Sequence, residues 1–305
     1  QYLDIAFTIA KENKLEKEQA EALLWQAHVH RLISEIDKSL SYTTQAFAIT
    51  QSLNNDSLLS ASYISFAQSY KEKGDKLLTL KNIFEATTLA EKIDNLPLKR
   101  VCYLQLADFY FGTKNYDKSL DYAFKVLHLD FQSKSEESKY GRVTVYNTIG
   151  NIYVRKKNYN MAQSFYETSI KYADTIAFAP LKMQGYMGLL NMYLSADEPQ
   201  KALNFFNNKP DLKQYISGFG MNSVIDQAYA VIYTQMNKLD SATYFYARCL
   251  PFFETSVNTA SKLSFFAQYG DYLLKKGDKI NSIAVFEQSK QLAEATQNLE
   301  WMRYY

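Results

Sequence analysis

The sequence predicts an all-α solenoid of about seven helix–turn–helix repeats, and three observations predict it. A marker position late in each repeat falls on Ala6, Ala46, Ala86, Val126, Ser169, Lys209, Cys249 and Ser289, in steps of 40 residues with one step of 43. One supersecondary element repeated at a fixed length stacks on its neighbours instead of closing into a globule. Apolar residues follow the i, i+3, i+4, i+7 spacing of an amphipathic helix. Only 10 Gly and 5 Pro interrupt 305 residues, of which 47% are hydrophobic and 15% aromatic, so long helices with ample area to bury are expected.

The first helix of each repeat carries its stripe in turn: Tyr63-Phe66-Ala67-Tyr70, Tyr103-Leu106-Ala107-Tyr110, Tyr146-Ile149-Gly150-Tyr153, Tyr186-Leu189-Leu190-Tyr193, Tyr229-Ala230-Tyr233 and Phe266-Tyr269-Gly270-Leu273. Leu23-Gln26-Ala27-His30 is a degenerate first copy. Turns follow at Lys73-Gly74-Asp75, Lys114-Asn115-Tyr116, Lys157-Asn158-Tyr159, Asp197-Glu198-Pro199, Asn237-Lys238-Leu239 and Lys276-Gly277-Asp278. Gly and Asn there tolerate the left-handed conformation that ends a helix, and Asp or Asn can cap the next one. Each second helix adds a small residue: Ser39, Thr79, Ser119, Ala162, Ala202, Ala242 and Ser282. Facing the small column of the first helices, it lets the two helices cross closely while Tyr and Phe rings fill the flanks.

The pattern of Tyr146, Ile149-Gly150, Tyr153, Ala162 and Tyr166 resembles the tetratricopeptide repeat family, and the resemblance extends over roughly residues 1–305. The copies lack the usual Pro at the repeat end and are about six residues longer than the standard 34. Long repeats of this kind are similar to those of MalT-like activators, kinesin light chain and bacterial peptide-sensing regulators. The resemblance implies a right-handed superhelix in one continuous array. A half repeat over 1–17 precedes repeats at 18–57, 58–97, 98–139, 140–180, 181–220, 221–260 and 261–298, with the start of another helix over 299–305. Because the chain begins at Gln1 and stops at Trp301-Met302-Arg303-Tyr304-Tyr305, both ends read as cut from a longer protein.

Three places depart from the period. The extra three residues between Val126 and Ser169 fall in the polar stretch Asp130–Glu137, which reads as a longer loop. Pro210, Gly218 and Gly220 interrupt the second helix of the fifth repeat, and Pro251 should kink that of the sixth. Such breaks are read as tolerated loop variation rather than as a hinge beside a ligand.

Thirty-four basic against 32 acidic residues leave a charge of +2 with no basic cluster, against nucleic-acid binding by this segment. No 18-residue apolar run is present, so membrane insertion of the segment is not expected. Cys102 and Cys249 lie too far apart in a nearest-neighbour array to pair. His28 and His30, two apart on a helix, point about 200 degrees apart and cannot share a metal. With no Cys-x-x-Cys, His-Glu-x-x-His, phosphate loop or nucleophile elbow, neither an enzyme nor a cofactor is expected. The composition fits cytoplasm or periplasm, with a lean to a periplasmic segment of a membrane-linked bacterial protein.

Function is expected on the first-helix face that points away from the second helix. The column after each small residue reads His28, Gln68, Asp108, Asn151, Asn191, Val231 and Asp271. Asn147 and Gln227 stand one turn earlier, and Arg31, Lys71, Arg155 and Lys275 near its far end. Helix interiors disfavour Asn and Asp, yet they recur in this column. By the resemblance, the face lines a concave groove where Asn side chains hold the backbone of an extended peptide; a primary amide matches a peptide group as donor and acceptor. The expected partner-binding residues are His28, Gln68, Lys71, Asp108, Asn147, Asn151, Arg155, Asn191, Gln227 and Asp271. Leu24, Ile64, Leu104 and Met187, with Phe111, Val154, Leu194 and Leu274, share the face and pack on the adjoining first helix or accept apolar partner groups. Two functions follow: a protein- or peptide-binding module, sensory or scaffolding part of a larger bacterial regulator, or a structural array that self-associates through open repeat ends or docks on its parent protein.

Overall fold

A computed structural model describes residues 2–133, 135–256, 258–295 and 302, with the backbone alone at 136 and 137. Apart from Met302, the expected helix over 299–305 lies outside the described residues. Among these, every regular element is an α-helix. In order they are α1 (Tyr2–Glu12), α2 (Glu16–Leu32), α3 (Ile36–Ser52), α4 (Asp56–Glu72), α5 (Lys76–Lys92), α6 (Leu96–Gly112), α7 (Tyr116–Gln132) and α8 (Glu136–Arg155). They continue as α9 (Tyr159–Thr175), α10 (Ala179–Ser195), α11 (Pro199–Asn207), α12 (Pro210–Gly218), α13 (Asn222–Gln235), α14 (Leu239–Thr255), α15 (Thr259–Lys276) and α16 (Lys279–Ala295).

The 40-residue period resolves into helices of 17 residues separated by three, as in α2 to α7. The three linking residues have fixed tasks. The first ends the helix, the second turns left-handed, and the third starts the next helix. Positive φ recurs at Lys14, Ser34, Asn54, Gly74, Asp94 and Lys114, and again at Lys157, Ala177, Asp197, Asn237 and Gly277. The following amide then bonds back to the carbonyl five residues earlier, as in Glu35 to His30 at 2.8 Å and Asn115 to Tyr110 at 2.8 Å. This closes the helix end with a Schellman-type bond. The side chains of Asn55, Asp75, Asn95, Asn115, Asn158 and Asn258 then accept amides of the next first turn.

Two irregularities differ from expectation. The extra three residues lengthen no loop: α7 runs to Gln132, and α8 is 20 residues long. Asp130, read as loop, is 1% exposed and holds Arg100 Nε at 2.7 Å. The polar sequence concealed a buried ion pair, whose neighbour Gly141 has no room for a Cβ. The second helix of the fifth repeat is interrupted at Asn208 and Lys209; Pro210 then occupies the first turn of α12, where its missing N–H has no helical partner to lose. The next helix, α13, is 14 residues long. Pro251 sits inside α14, which continues to Thr255.

The chain divides into two compact units, Gln1–Lys156 and Lys157–Tyr305. In the N-terminal unit each helix packs on the next, and α2 also meets α4, and α4 meets α6. No pair of successive second helices, α3 with α5 or α5 with α7, is in comparable contact. The first helices are therefore the closer row and the second helices splay. The small columns sit at the crossings: Ala27, Ala67 and Ala107 are at most 1% exposed, opposite buried Ser39, Thr79 and Ser119. Ser119 Oγ donates to the Ala107 carbonyl at 2.7 Å. Between α3 and α4 the interface is hydroxylic, with Ser39–Ser69, Thr43–Ser65 and Thr50–Ser62 paired at 2.9, 2.7 and 3.3 Å.

The C-terminal unit is built on rings. Tyr246, Phe253, Phe265 and Tyr272 form a buried cluster around Ala230 and Ala242, and Phe253 stacks on Phe265 at 4.3 Å. A second cluster joins Tyr186, Leu190, Phe206, Leu212 and Ile216. Gly270 lies so close to Phe286 that a Cβ would come within 2.5 Å of its ring.

Candidate binding face

In the N-terminal unit the polar column lies on the closer row of helices. Asp108 on α6 is exposed and pairs with Lys71 on α4, bridging two first helices. His28 and Gln68 are half-buried and Asn151 and Arg155 exposed. The Nδ1 of His28 accepts a hydrogen bond from Arg31 at 2.7 Å, and Trp25 meets the imidazole edge-on at 5.8 Å. Burial lowers the Arg31 pKa from its ordinary value, and the field of Glu72 opposes that shift. The Arg155 guanidinium stands 5.9 Å from the Phe111 ring centre.

Asn147 differs from an open groove residue. It is 7% exposed, and neither its amide nitrogen nor its carbonyl oxygen has a hydrogen-bond partner. Leaving such a group unsatisfied costs on the order of 1–3 kcal/mol. It shares a register position with half-buried Leu24, Ile64 and Leu104. A one-turn offset along a helix does not disclose depth, so sequence placed it beside exposed Asn151.

In the C-terminal unit Asn191 and Asp271 are exposed, while Val231 is half-buried. Gln227 is tied to its neighbour, donating from Nε2 to Gln268 Oε1 at 2.9 Å between α13 and α15. Gln235, which sequence reading passed over, donates to the Leu194 carbonyl at 3.2 Å. Lys275 reaches the Thr234 carbonyl at 3.5 Å. These polar side chains link successive first helices. Of the apolar companions, Leu274 is 52% exposed, whereas Phe111, Val154, Leu194 and Met187 are half-buried. Among the described residues no cluster of His, Cys, Asp and Glu is arranged to hold a metal ion, and no helix is long and apolar enough to cross a membrane.

Residues 143–175, most of α8 with all of α9, match the tetratricopeptide repeat family model. Solved structures agree on the fold. A signal-transduction ATPase with numerous domains from Pyrococcus horikoshii, which has a tetratricopeptide repeat sensor, matches with a TM-score of 0.67 at 16% identity, over 93% of this chain and 44% of that one. The chain thus spans less than half of that protein. A Rap protein in complex with competence and sporulation factor gives 0.66 at 10% identity, over 93% and 76%. Aspartyl phosphate phosphatase F from Bacillus subtilis gives 0.70 at 12% identity, over 93% and 73%. No curated protein sequence matches the chain.

Proposed function

We propose that this chain is a binding module that holds an extended peptide or protein segment on its first-helix face, as the sensory or scaffolding part of a larger bacterial regulatory protein. The observation that carries the reading is the column His28, Gln68, Asp108 and Asn151 in the N-terminal unit and Asn191 and Asp271 in the C-terminal unit, half-buried or exposed hydrogen-bonding residues at a repeat position where Val231 is the apolar exception. Within the N-terminal unit their spacing offers a partner polar groups at regular intervals along the closer row of helices. Lys71 and Arg155 supply charge at the edge of the same face. That a structurally similar Rap protein is seen with competence and sporulation factor supports the reading.

The test starts from peptides selected on the intact protein from a random phage-displayed library. Asn151→Ala combined with Asn191→Ala should weaken the selected peptides about tenfold or more, since each removes a bidentate amide. Unchanged affinity, measured by calorimetry, would overturn the assignment of the face.

A second reading, self-association or docking on other domains, is favoured by one observation. Tyr2, Ile5 and Ile9 on α1 and Trp25, Val29 and Leu32 on α2 are all more than 40% exposed, so apolar surface is concentrated at this helix pair. Light scattering over a concentration series distinguishes the two readings: a mass that stays at one chain throughout speaks against self-association.

A further inference from the structure

The splay of the second helices leaves a trough in the N-terminal unit, away from the polar column. It has a volume of about 770 Å³, with α5 and α7 as walls and Tyr103 and Tyr110 of α6 as floor. Two features distinguish it. Phe84 on α5 and Phe124 on α7 line it and are 41% and 40% exposed. They hold the same register position on successive second helices, a position that carries Thr44 on α3 and Glu167 on α9. At this solvent-facing position the exposed parts of the two rings present an apolar surface to the trough.

The second feature is charge. The Lys118 ammonium stands 5.0 Å from the Tyr110 ring centre, and that of Lys125 is 5.3 Å from Tyr103 and 4.9 Å from Tyr122. Tyr110 and Tyr122 are stacked, 5.8 Å apart and 8° from parallel. Among the described residues neither lysine is in an ion pair, Asp121 is the one carboxylate of the lining, and His128 at the rim bonds to Gln132. The nearby Glu91 accepts from the Tyr103 hydroxyl at 2.7 Å. The ring faces are thus already filled by the chain's own cations, and the unmet need is for anions beside an apolar group.

The C-terminal unit supplies an internal comparison. A trough of about 450 Å³ lies there between α14 and α16 over the rings of α15. Its walls carry Ala247, Ala284 and Gln288, without an exposed ring pair. The aromatic, cationic version therefore belongs to α5 and α7 and is not a consequence of the repeat.

We infer that the α5–α7 trough is a second docking surface, which binds an acidic segment of a protein partner by seating an apolar side chain between Phe84 and Phe124 and setting carboxylates against Lys118 and Lys125. Complementary charge sets orientation and encounter rate, and the buried apolar anchor supplies most of the affinity. This surface is independent of the peptide face proposed above.

The probe is a short fluorescein-labelled peptide of alternating glutamate and phenylalanine, followed by fluorescence anisotropy on the intact protein. A counterpart alternating lysine and phenylalanine is the control. The acidic probe should bind more tightly than the basic one and weaken as salt rises. Lys118→Glu with Lys125→Glu should weaken it about tenfold or more. Phe84→Thr with Phe124→Glu, which installs residues that this register already carries elsewhere, should do the same with helicity unchanged by circular dichroism. Lys71→Ala with Asn151→Ala should leave the affinity as it was. The inference is overturned if the acidic probe does not bind, if the basic probe binds equally, or if either trough variant binds like the wild type. It is also overturned if the Lys71 and Asn151 variant loses the probe, which would place it on the first-helix face.

Discussion

At the scale of single residues, close approach separates glycines that must be glycine from those that need not. A Cβ on Gly270 would lie 2.5 Å from the Phe286 ring, whereas one on Gly112 would meet nothing within 4 Å. The same substitution should therefore act with opposite sign at two helical sites. Gly112→Ala removes backbone freedom from the unfolded chain and should raise stability by about 0.5–1 kcal/mol. Gly270→Ala gains that term but forces α15 and α16 apart, and overpacking of this kind costs about 1–3 kcal/mol. The net should be a loss on the order of 1 kcal/mol. Urea midpoints of the two variants against the parent check this; a rise for both would show that Phe286 yields without cost. Gly270 was readable from sequence because it repeats the small column of Ala67, Ala107 and Ala230. The fit of Gly141 against Arg100 and Asp130 was not, because it depends on an ion pair formed across 30 residues.

At the scale of elements, the three-residue junction is the rule that builds the array. Glycine meets its left-handed position at Gly74 and Gly277, but Ala177 and Ser34 also adopt it, with φ of 52° and 62°. Residues with a Cβ are strained there by about 1–2 kcal/mol. Ala177→Gly should consequently raise stability by about 0.5–1 kcal/mol, and Gly277→Ala should lower it by a similar amount. Thermal midpoints moving together in one direction would remove the junction rule. These junctions also explain what sequence could disclose. Asn115 and Gly74 are turn residues whose chemistry names their positions, and the helical period stood out from stripes such as Tyr103-Leu106-Ala107-Tyr110. Ala177 carries no turn signal, and the lengthening of α8 was hidden because Asp130 and Gln132, both inside α7, and Glu136, which opens α8, read as loop when their helical partners are unseen. For the binding face, the spacing of His28, Gln68, Asp108 and Asn151 was legible from the period. The burial of Asn147 and the tie from Gln227 to Gln268 depend on how closely the next first helix approaches, which one helix's pattern does not encode.

Across the whole molecule, each compact unit holds one buried thiol, and that pairing gives the stability a predictable dependence on pH. Cys102 and Cys249 are both fully buried. Burial raises the Cys102 thiol to about 11 and the Cys249 thiol to about 12, since removal from water disfavours the thiolate. In the unfolded chain both titrate near the ordinary value of 9.0. The folded protein therefore holds these protons more tightly than the unfolded one. The associated stability is complete below pH 9 and is lost as pH rises through the window from 9 towards the folded values. At pH 10 the loss should be about 1 kcal/mol for each thiol, because one pKa unit of unmatched ionisation corresponds to about 1.4 kcal/mol. Tyr103 and Tyr246, also shifted upward by burial, extend the decline to more alkaline pH. Neither unit is spared, so both should weaken together. Urea unfolding followed by circular dichroism at pH 7.5 and pH 10 measures the difference. Cys102→Ala and Cys249→Ala should each flatten the slope, removing about 1 kcal/mol of the difference between pH 7.5 and pH 10, whatever they do to stability at pH 7.5. A slope unchanged in both variants would mean that other groups drive the alkaline loss.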